Sequence, residues 1–459
     1  MTLASVGAEV VEHVATPLDQ LIVLLIFVSV FAGIIFDKID KAIVSLAGGA
    51  VVVLAGYLTF ERAIHYVDFE TIGLLLGMML LVACVQEVHV FEWIALKMAI
   101  ASRGSPVLIL VAFGTATAVF SAFLDNVTTV LIMIPLVISI TRGIGLNPVP
   151  FLLACVFLSN IGGAATLIGD PPNILIGTRV PELTFGSFLE YMTVPVLISG
   201  ALGLLYLKWA NRGIRSRTRD FPWLFASNLM LEQIRRQERE LHVPASVMIR
   251  AGGVMAIVIG AFLAHTWLHL SVAMVAIAGA ILMLLVFGRR VDFHQVVHHV
   301  EWPTLLFFSG LFVVVGAMEE VGILERVALW MVSITDNTLV LIMLILWGSA
   351  ILSGMVDNIP FVAVMIPVLQ RMMKSEPLVS DGSSHLLWWA LVMGACFGGN
   401  ATMIGASANV VGCAIGRSRG VVINFGAFAR TAIPVTLITL IVSSVYLGVL
   451  YAMHASGVE

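Results

Sequence analysis

Stretches of about twenty apolar residues, repeated along the whole chain, constrain this sequence more than any other feature. A helix that crosses a bilayer needs roughly 20 such residues. Clear candidates run at 18–36, 42–58, 71–86, 188–207, 247–264, 271–287, 303–318 and 428–450. Of the 459 residues, 60% are hydrophobic and 11% charged, and the mean hydropathy is +1.05. A soluble domain carries about 25% charged residues, so this chain has too little charge to cover a water-exposed surface. It reads as an all-α polytopic membrane protein whose main surrounding is the lipid bilayer. That argues against a soluble enzyme, a nucleic-acid binder and a disulfide-stapled secreted scaffold. Cys84, Cys155, Cys396 and Cys413 have no C-x-x-C spacing and read as small buried hydrophobes.

Four other apolar stretches do not read as plain spans. The segments 150–178 and 386–416 are too long and too rich in Gly, Pro and Asn for one regular helix, and read as broken helices. The segments 106–141 and 338–371 carry Asp-Asn at their middles and read as re-entrant hairpins. Irregular backbone at membrane depth must be buried in protein or line a cavity. The expected architecture is therefore about ten transmembrane helices, two re-entrant helical hairpins and two broken helices.

Lys and Arg placement predicts the orientation. The polar segment 208–250 holds Lys208, Arg212, Arg215, Arg217, Arg219, Arg235, Arg236, Arg239 and Arg250, so the linker 209–245 is expected in the cytoplasm. Counting spans from it puts Lys38, Lys41, Lys97, Arg103, Arg142, Arg289, Arg290, Arg417, Arg419 and Arg430 on the same side. The Glu319/Glu320 side and both termini fall outside the cell, with Arg371 and Lys374 as the exceptions. The first 19 residues contain Glu9, Glu12 and Asp19 but no Lys or Arg, which is the wrong start for a cleaved signal peptide.

The chain repeats itself. SAFLDNVTTVLIMIPL at 121–136 aligns without gaps to SGMVDNIPFVAVMIPV at 353–368, with seven of sixteen positions identical. GGAATLIGDPPN at 162–173 aligns to GGNATMIGASAN at 398–409, with seven of twelve identical. Upstream, Gly77, Glu87 and Glu92 match Gly310, Glu320 and Glu325. Three blocks in the same order mark a duplication: one unit over 1–208, the linker, and a second over 246–459. Five spans and one hairpin precede the second unit, so it starts from the opposite face and the repeat has inverted topology. Inverted repeats with broken helices at the midplane are the architecture of secondary transporters.

Asp125 and Asp357 occupy the middles of the hairpins. A carboxylate in the membrane costs at least ~2.5–3.5 kcal/mol, so each either finds a partner or holds a proton, because desolvation disfavours the charged form. A carboxylate that alternates between those states suits a proton- or sodium-coupled carrier. Each can also cap the helix that follows it. In the second constellation Gly162, Gly163, Gly398 and Gly399 permit close backbone approach, and Pro171 and Pro172 end the helix before them. Asn160, Thr166, Asp170, Asn173, Asn400, Thr402, Ser407 and Asn409 surround this unwound backbone, with Asn126, Thr128 and Asn358 beside the hairpin aspartates. Asp170 matches Ala406, so the site is expected to be asymmetric, with Asp125, Asp357 and Asp170 as the proton-coupling candidates. Glu87, Glu92, Glu320 and Glu325 read as solvated faces of interfacial helices. His294, His298 and His299 follow Arg289/Arg290 at a membrane edge. No metal site, cofactor or P-loop is expected.

At these motifs, together with SNIGGAATLIGDPPNILIG at 159–177 and GGNATMIGASANVVG at 398–412, the chain resembles the ion transporter superfamily. That superfamily includes dicarboxylate/citrate carriers, the arsenite pump membrane subunit ArsB and the NhaD sodium/proton antiporters. The sequence is most similar to the ArsB/NhaD permeases, in the branch that holds the P protein. The resemblance runs from about 20 to 450 and implies scaffold and transport domains, an elevator-type movement and a homodimer. The dicarboxylate branch carries Ser-Asn-Thr at both tips, where this chain has Asp-Asn-Val and Asp-Asn-Ile. An aspartate there repels a carboxylate substrate. The leading expectation is a cytoplasmic-membrane transporter that exports arsenite or antimonite in exchange for protons, since arsenite at neutral pH is an uncharged trihydroxide suited to Asn, Thr and Ser donors. Na⁺(Li⁺)/H⁺ antiport is the alternative, a di- or tricarboxylate carrier or a channel ranks lower, and a soluble ATPase partner is left open.

Overall fold

The computed structural model describes residues 16–36, 38–211, 236, 243–374 and 382–456. The first 15 residues of the tail expected outside the cell, and nearly all of the basic linker 209–245, lie outside the described residues. Those described form twenty α-helices and no strand. The first ten are α1 (Pro17–Phe36), α2 (Lys41–Leu54), α3 (Phe60–Tyr66), α4 (Phe69–Glu87), α5 (Val90–Ala101), α6 (Pro106–Ser121), α7 (Asn126–Gly143), α8 (Val149–Gly163), α9 (Pro171–Arg179) and α10 (Phe185–Ala210). The other ten are α11 (Ala245–Ala264), α12 (Val272–Phe287), α13 (Phe293–His298), α14 (Trp302–Glu320), α15 (Ile323–Val332), α16 (Thr338–Met355), α17 (Asn358–Met372), α18 (Leu386–Gly398), α19 (Ser407–Ser418) and α20 (Phe425–Ala455). The two sets correspond one to one in order and approximate length, and the sequence blocks of the duplication fall on equivalent helices.

Among the described residues, eight helices are long and apolar enough to cross a membrane, including α1, α4, α10, α11, α14 and α20 at predicted spans. The other two, α7 and α16, are arms of the predicted hairpins. Conversely, the expected spans 42–58 and 271–287 contain helices of only 14 and 16 residues. The run at 42–58 extends past its helix, because α2 stops just before Gly56 at φ +81, whereas α12 fills its run from the cap Ser271 to Phe287.

Packing follows the repeat. Helix α2 lies along α14, and its equivalent α12 lies along α4. Gly310 and Gly77, matched in sequence, make both contacts possible. A Cβ on Gly310 falls 2.5 Å from the Leu46 nitrogen, and one on Gly77 falls 2.7 Å from the Ile277 nitrogen. In the same reciprocal way α7 meets α19 and α17 meets α9. Helices α8 and α18 are buried on every side from Pro150 and Leu386 onward, as expected of an all-round apolar helix at the centre of a bundle. Apolar side chains such as Leu197 and Leu205 on α10 and Val445 and Val449 on α20 are exposed, forming faces that suit lipid.

Several charged groups at the helix ends are paired. Arg371, an exception to the orientation rule, lies 3.2 Å from Glu319 and 3.5 Å from Glu325, so its charge is compensated locally. Glu320 is bound by Arg62 and by the Tyr66 hydroxyl. Glu320 and Glu325 lie on exposed faces, as expected, and there they also form ion pairs. His299 contacts the Gln295 carbonyl at 2.8 Å through Nδ1 and lies 3.6 Å from Glu87. Among the described residues no three His, Cys, Asp or Glu side chains converge closely enough to hold a metal.

Candidate functional site

Both hairpins turn where the sequence places Asp-Asn, and each aspartate caps the returning helix. Asp125 accepts from the Thr128 backbone N–H at 2.8 Å and from the Thr128 hydroxyl, and Asp357 accepts from the Ile359 N–H at 3.4 Å. The predicted broken helices are interrupted between α8 and α9 and between α18 and α19, the second after a 3₁₀ turn at Gly399–Ala401.

Each tip is fastened to its break by an equivalent set of bonds. Ser121 donates to the Ser159 carbonyl at 2.7 Å, and Ser353 to the Ala395 carbonyl at 2.6 Å. Thr166 donates to the Ala122 carbonyl and Thr402 to the Gly354 carbonyl. Asn173 bridges the Gly163 and Thr166 carbonyls at 3.1 and 2.9 Å. Asn409 bridges those of Gly399 and Thr402, both at 2.8 Å. These bonds satisfy unwound backbone that has no water to bind.

The two halves are joined by amides. Asn160 donates to Asn400 and to Asn409, both at 2.8 Å, and Cys396, its equivalent, contacts Asn173 at 3.2 Å. Asn126 donates to Asn160 at 3.1 Å and to Asp170 Oδ1 at 3.2 Å. Asn358, from the other tip, donates to Asp170 Oδ2 at 3.5 Å. Asp170 is thus the acceptor that both tips share, one on each oxygen.

In front of this network lies a cavity lined by Asp125, Asn126, Asp170, Asn358, Ser407, Glu301 and Thr304, with apolar α4 residues such as Met78 opposite. It holds about 50 Å³ of space for water-sized bodies. One water needs about 10–15 Å³ on that measure, so a few fit. Asp357, next to the lining residue Asn358, is not in the lining itself and is bound by Ser407 Oγ at 2.9 Å and by Lys41 Nζ at 2.6 Å. Three carboxyl groups, those of Asp125, Asp170 and Glu301, therefore line the cavity, and the Asp357–Lys41 pair adjoins it through Ser407. Gly162, Gly163, Gly398 and Gly399 are not in its lining. They sit against backbone, Gly162 on Ala118 and Gly398 on Ala350. Thr128, Asn160, Thr166, Asn173, Asn400, Thr402 and Asn409 also stand behind the cavity wall and hold it in shape.

Lys41, Glu301, Thr304 and Cys396 were not anticipated. Lys41 is 316 residues from Asp357 and reads in sequence as a topological anchor. Glu301 and Thr304 did carry a signal. They match Asp68 and Thr71 at the same spacing as Gly77 and Gly310, and both acids begin equivalent helices. In the structure Asp68 accepts from Thr71 at 2.8 Å and pairs with Arg179 at 2.8 Å. Glu301 accepts from Thr304 at 3.1 Å, and the position equivalent to Arg179 is Ile415.

A family model described as CitMHS, citrate transporter, matches residues 31–394. An uncharacterized transporter of Mycobacterium tuberculosis is 38% identical over 447 residues, covering 94% of this chain and 99% of that one. The P protein of Homo sapiens is 32% identical over 495 residues, covering 92% of this chain and 59% of that one. Among solved structures, the YdaH transporter of Alcanivorax borkumensis superposes with a TM-score of 0.54 at 15% identity, covering 94% and 98% of the two chains. At that identity the likeness is one of fold.

Proposed function

Because the chain belongs to the CitMHS citrate-transporter family, and is thus a membrane transporter rather than an enzyme, we propose that it is a proton-coupled secondary transporter of a small inorganic solute. In this reading it belongs to the ArsB/NhaD branch and exports arsenite or antimonite in exchange for protons. The observation that carries the proposal is the cavity itself, lined by the carboxyl groups of Asp125, Asp170 and Glu301, with the Asp357–Lys41 ion pair beside it. Citrate, which the family's description names, would bring further negative charge into that surplus and exceed a space that holds a few waters. A neutral trihydroxide finds carboxylate acceptors and Asn126 and Asn358 amides around it. The same surplus of negative charge favours a second reading, Na⁺ or Li⁺ exchanged for protons, with backbone carbonyls as hard oxygen ligands.

In this reading α6–α9 and α16–α19 carry the site as the transport domain, and α2, α4, α12 and α14 form the scaffold. The protein works as a homodimer in the cytoplasmic membrane by an elevator-type movement, with both termini outside and the linker inside.

The test is dissipation of a pH gradient in proteoliposomes challenged in turn with arsenite, antimonite, Na⁺, Li⁺ and citrate. Arsenite or antimonite should collapse the gradient. Asp125→Asn and Asp357→Asn should each slow that response at least about tenfold, or about 1.4 kcal/mol. A response to Na⁺ and Li⁺ alone selects the second reading. Full activity in both variants would refute the coupling roles.

A further inference from the structure

Lys41 and Asp357 come from different parts of the bundle. Lys41 opens α2, which packs along α14, whereas Asp357 is the tip between α16 and α17, fastened to the break after α18. Their 2.6 Å ion pair joins a carboxylate only 4% exposed to an ammonium 27% exposed. Ser407 on α19 donates to Asp357 and the Asp170 carboxyl interacts with it, while Asp125 and Glu301 line the neighbouring cavity. Among the described ion pairs, Lys41 is the one cation set on any of these four carboxylates.

The repeat makes this pair one-sided. Helices α2 and α12 are equivalent, and each begins behind a capping residue, Asp40 or Ser271. The next residue is Lys41 in one and Val272 in the other. Alternating access exchanges the roles of inverted repeats. That exchange carries Asp357 to the position Asp125 now holds, beside the acid that begins α4 instead of α14. Val272 stands in place of Lys41 there, and the cation at that acid, Arg179, is already bound to Asp68 at 2.8 Å. A buried carboxylate stripped of its counter-ion is costly, so Asp357 must take another cation, and a proton is the smallest.

We propose that Lys41 is the proton-releasing residue of the transport cycle, its ammonium displacing the proton from Asp357 at one membrane face. The inference rests on the proton-coupled reading above. In the step, the Asp357 carboxyl O–H breaks and its proton passes to water. The carboxylate pairs with the Lys41 ammonium, which stays protonated throughout. On return the pair separates, and Asp357 takes a proton from the opposite face.

The test uses proteoliposomes with a trapped pH dye, arsenite and Na⁺ as probes, and the pH of each face varied separately. Lys41→Gln should raise the half-inhibiting pH on one face by about one unit, a tenfold change in proton concentration, since an adjacent opposite charge is worth about 1–3 units. Lys41→Arg should keep the wild-type profile. Profiles of Lys41→Gln that match wild type on both faces would overturn the proposal while leaving proton coupling intact. If Lys41→Gln does not fold, the double variant Lys41→Gln/Asp357→Asn, which removes both charges of the pair, is compared with Asp357→Asn alone. It should lose no more coupled flux than Asp357→Asn, because Lys41 acts through Asp357, whereas a further tenfold loss, or full activity, would overturn the inference. A wild-type protein that shows no proton-coupled flux with either probe overturns both readings.

Discussion

Asp170→Asn is expected to reduce pH-driven transport at least about a hundredfold, or about 2.7 kcal/mol, while the protein remains folded. Asp170 is buried, and its two oxygens take the amide donors of Asn126 and Asn358, one from each hairpin tip. Asparagine has nearly the same shape but offers one acceptor oxygen and an NH₂ group. That NH₂ meets one of the two incoming donors, and a buried polar group left unpaired costs about 1–3 kcal/mol. The change also removes one of the three carboxyl groups that line the cavity, so the docking of the tips and the charge of the site suffer together. Size-exclusion profiles and thermal melts, run beside the flux assay, separate lost function from lost fold. A folded Asp170→Asn protein with more than a tenth of wild-type flux would show that Asp170 is not required for coupling.

The second large effect is on folding. Gly162→Ala and Gly398→Ala are each expected to leave little folded protein in the membrane. A Cβ at Gly162 falls 2.1 Å from the Ala118 carbonyl oxygen, and one at Gly398 falls 2.4 Å from the Ala350 Cα. Both obstacles are backbone of the hairpin arms α6 and α16, which cannot rotate away as a side chain can. Overpacking a core costs about 1–3 kcal/mol, occasionally more, and here it parts the hairpin from the helix that carries the break. Gly348→Ala, on α16 with nothing within 4 Å of the new Cβ, is the control and gains up to about 1 kcal/mol of helix propensity. Fluorescence-detected size exclusion of the three variants measures this. Monodisperse Gly162→Ala protein at wild-type yield would contradict the close-packing account.

These glycines show how a motif can be legible while its role is not. Their repetition at 162–163 and 398–399 points to a shared structural element, and both readings of it, close approach to a solute and close approach of helices, use the same missing Cβ. In the structure the missing Cβ atoms make room for neighbouring backbone, Gly162 on Ala118 and Gly398 on Ala350. Thr166, Asn173, Thr402 and Asn409 divide in the same way. Their polarity at membrane depth marks them as important, but each is turned toward the unwound carbonyls and holds the break shut. The aspartates at the tips read both as caps and as site groups, and both cap; Asp125 also lines the cavity, and Asp357 also pairs with Lys41.

What the sequence by itself determined is what depends on local composition and order. The apolar runs require a bilayer, the Asp-Asn tips and Gly/Pro breaks mark where helices stop, and the two matched blocks impose a duplicated architecture. These follow because helix ends and lipid burial are set within one or two turns of chain. What only the tertiary structure decided is which distant groups meet. Lys41 reaches Asp357 across 316 residues, Glu301 joins Asp125 on the cavity wall, and Asp170 is claimed by both tips at once. No local pattern encodes those meetings, because they arise from how the two repeats pack against each other, and a charge at a helix start looks the same whether it faces water or the site.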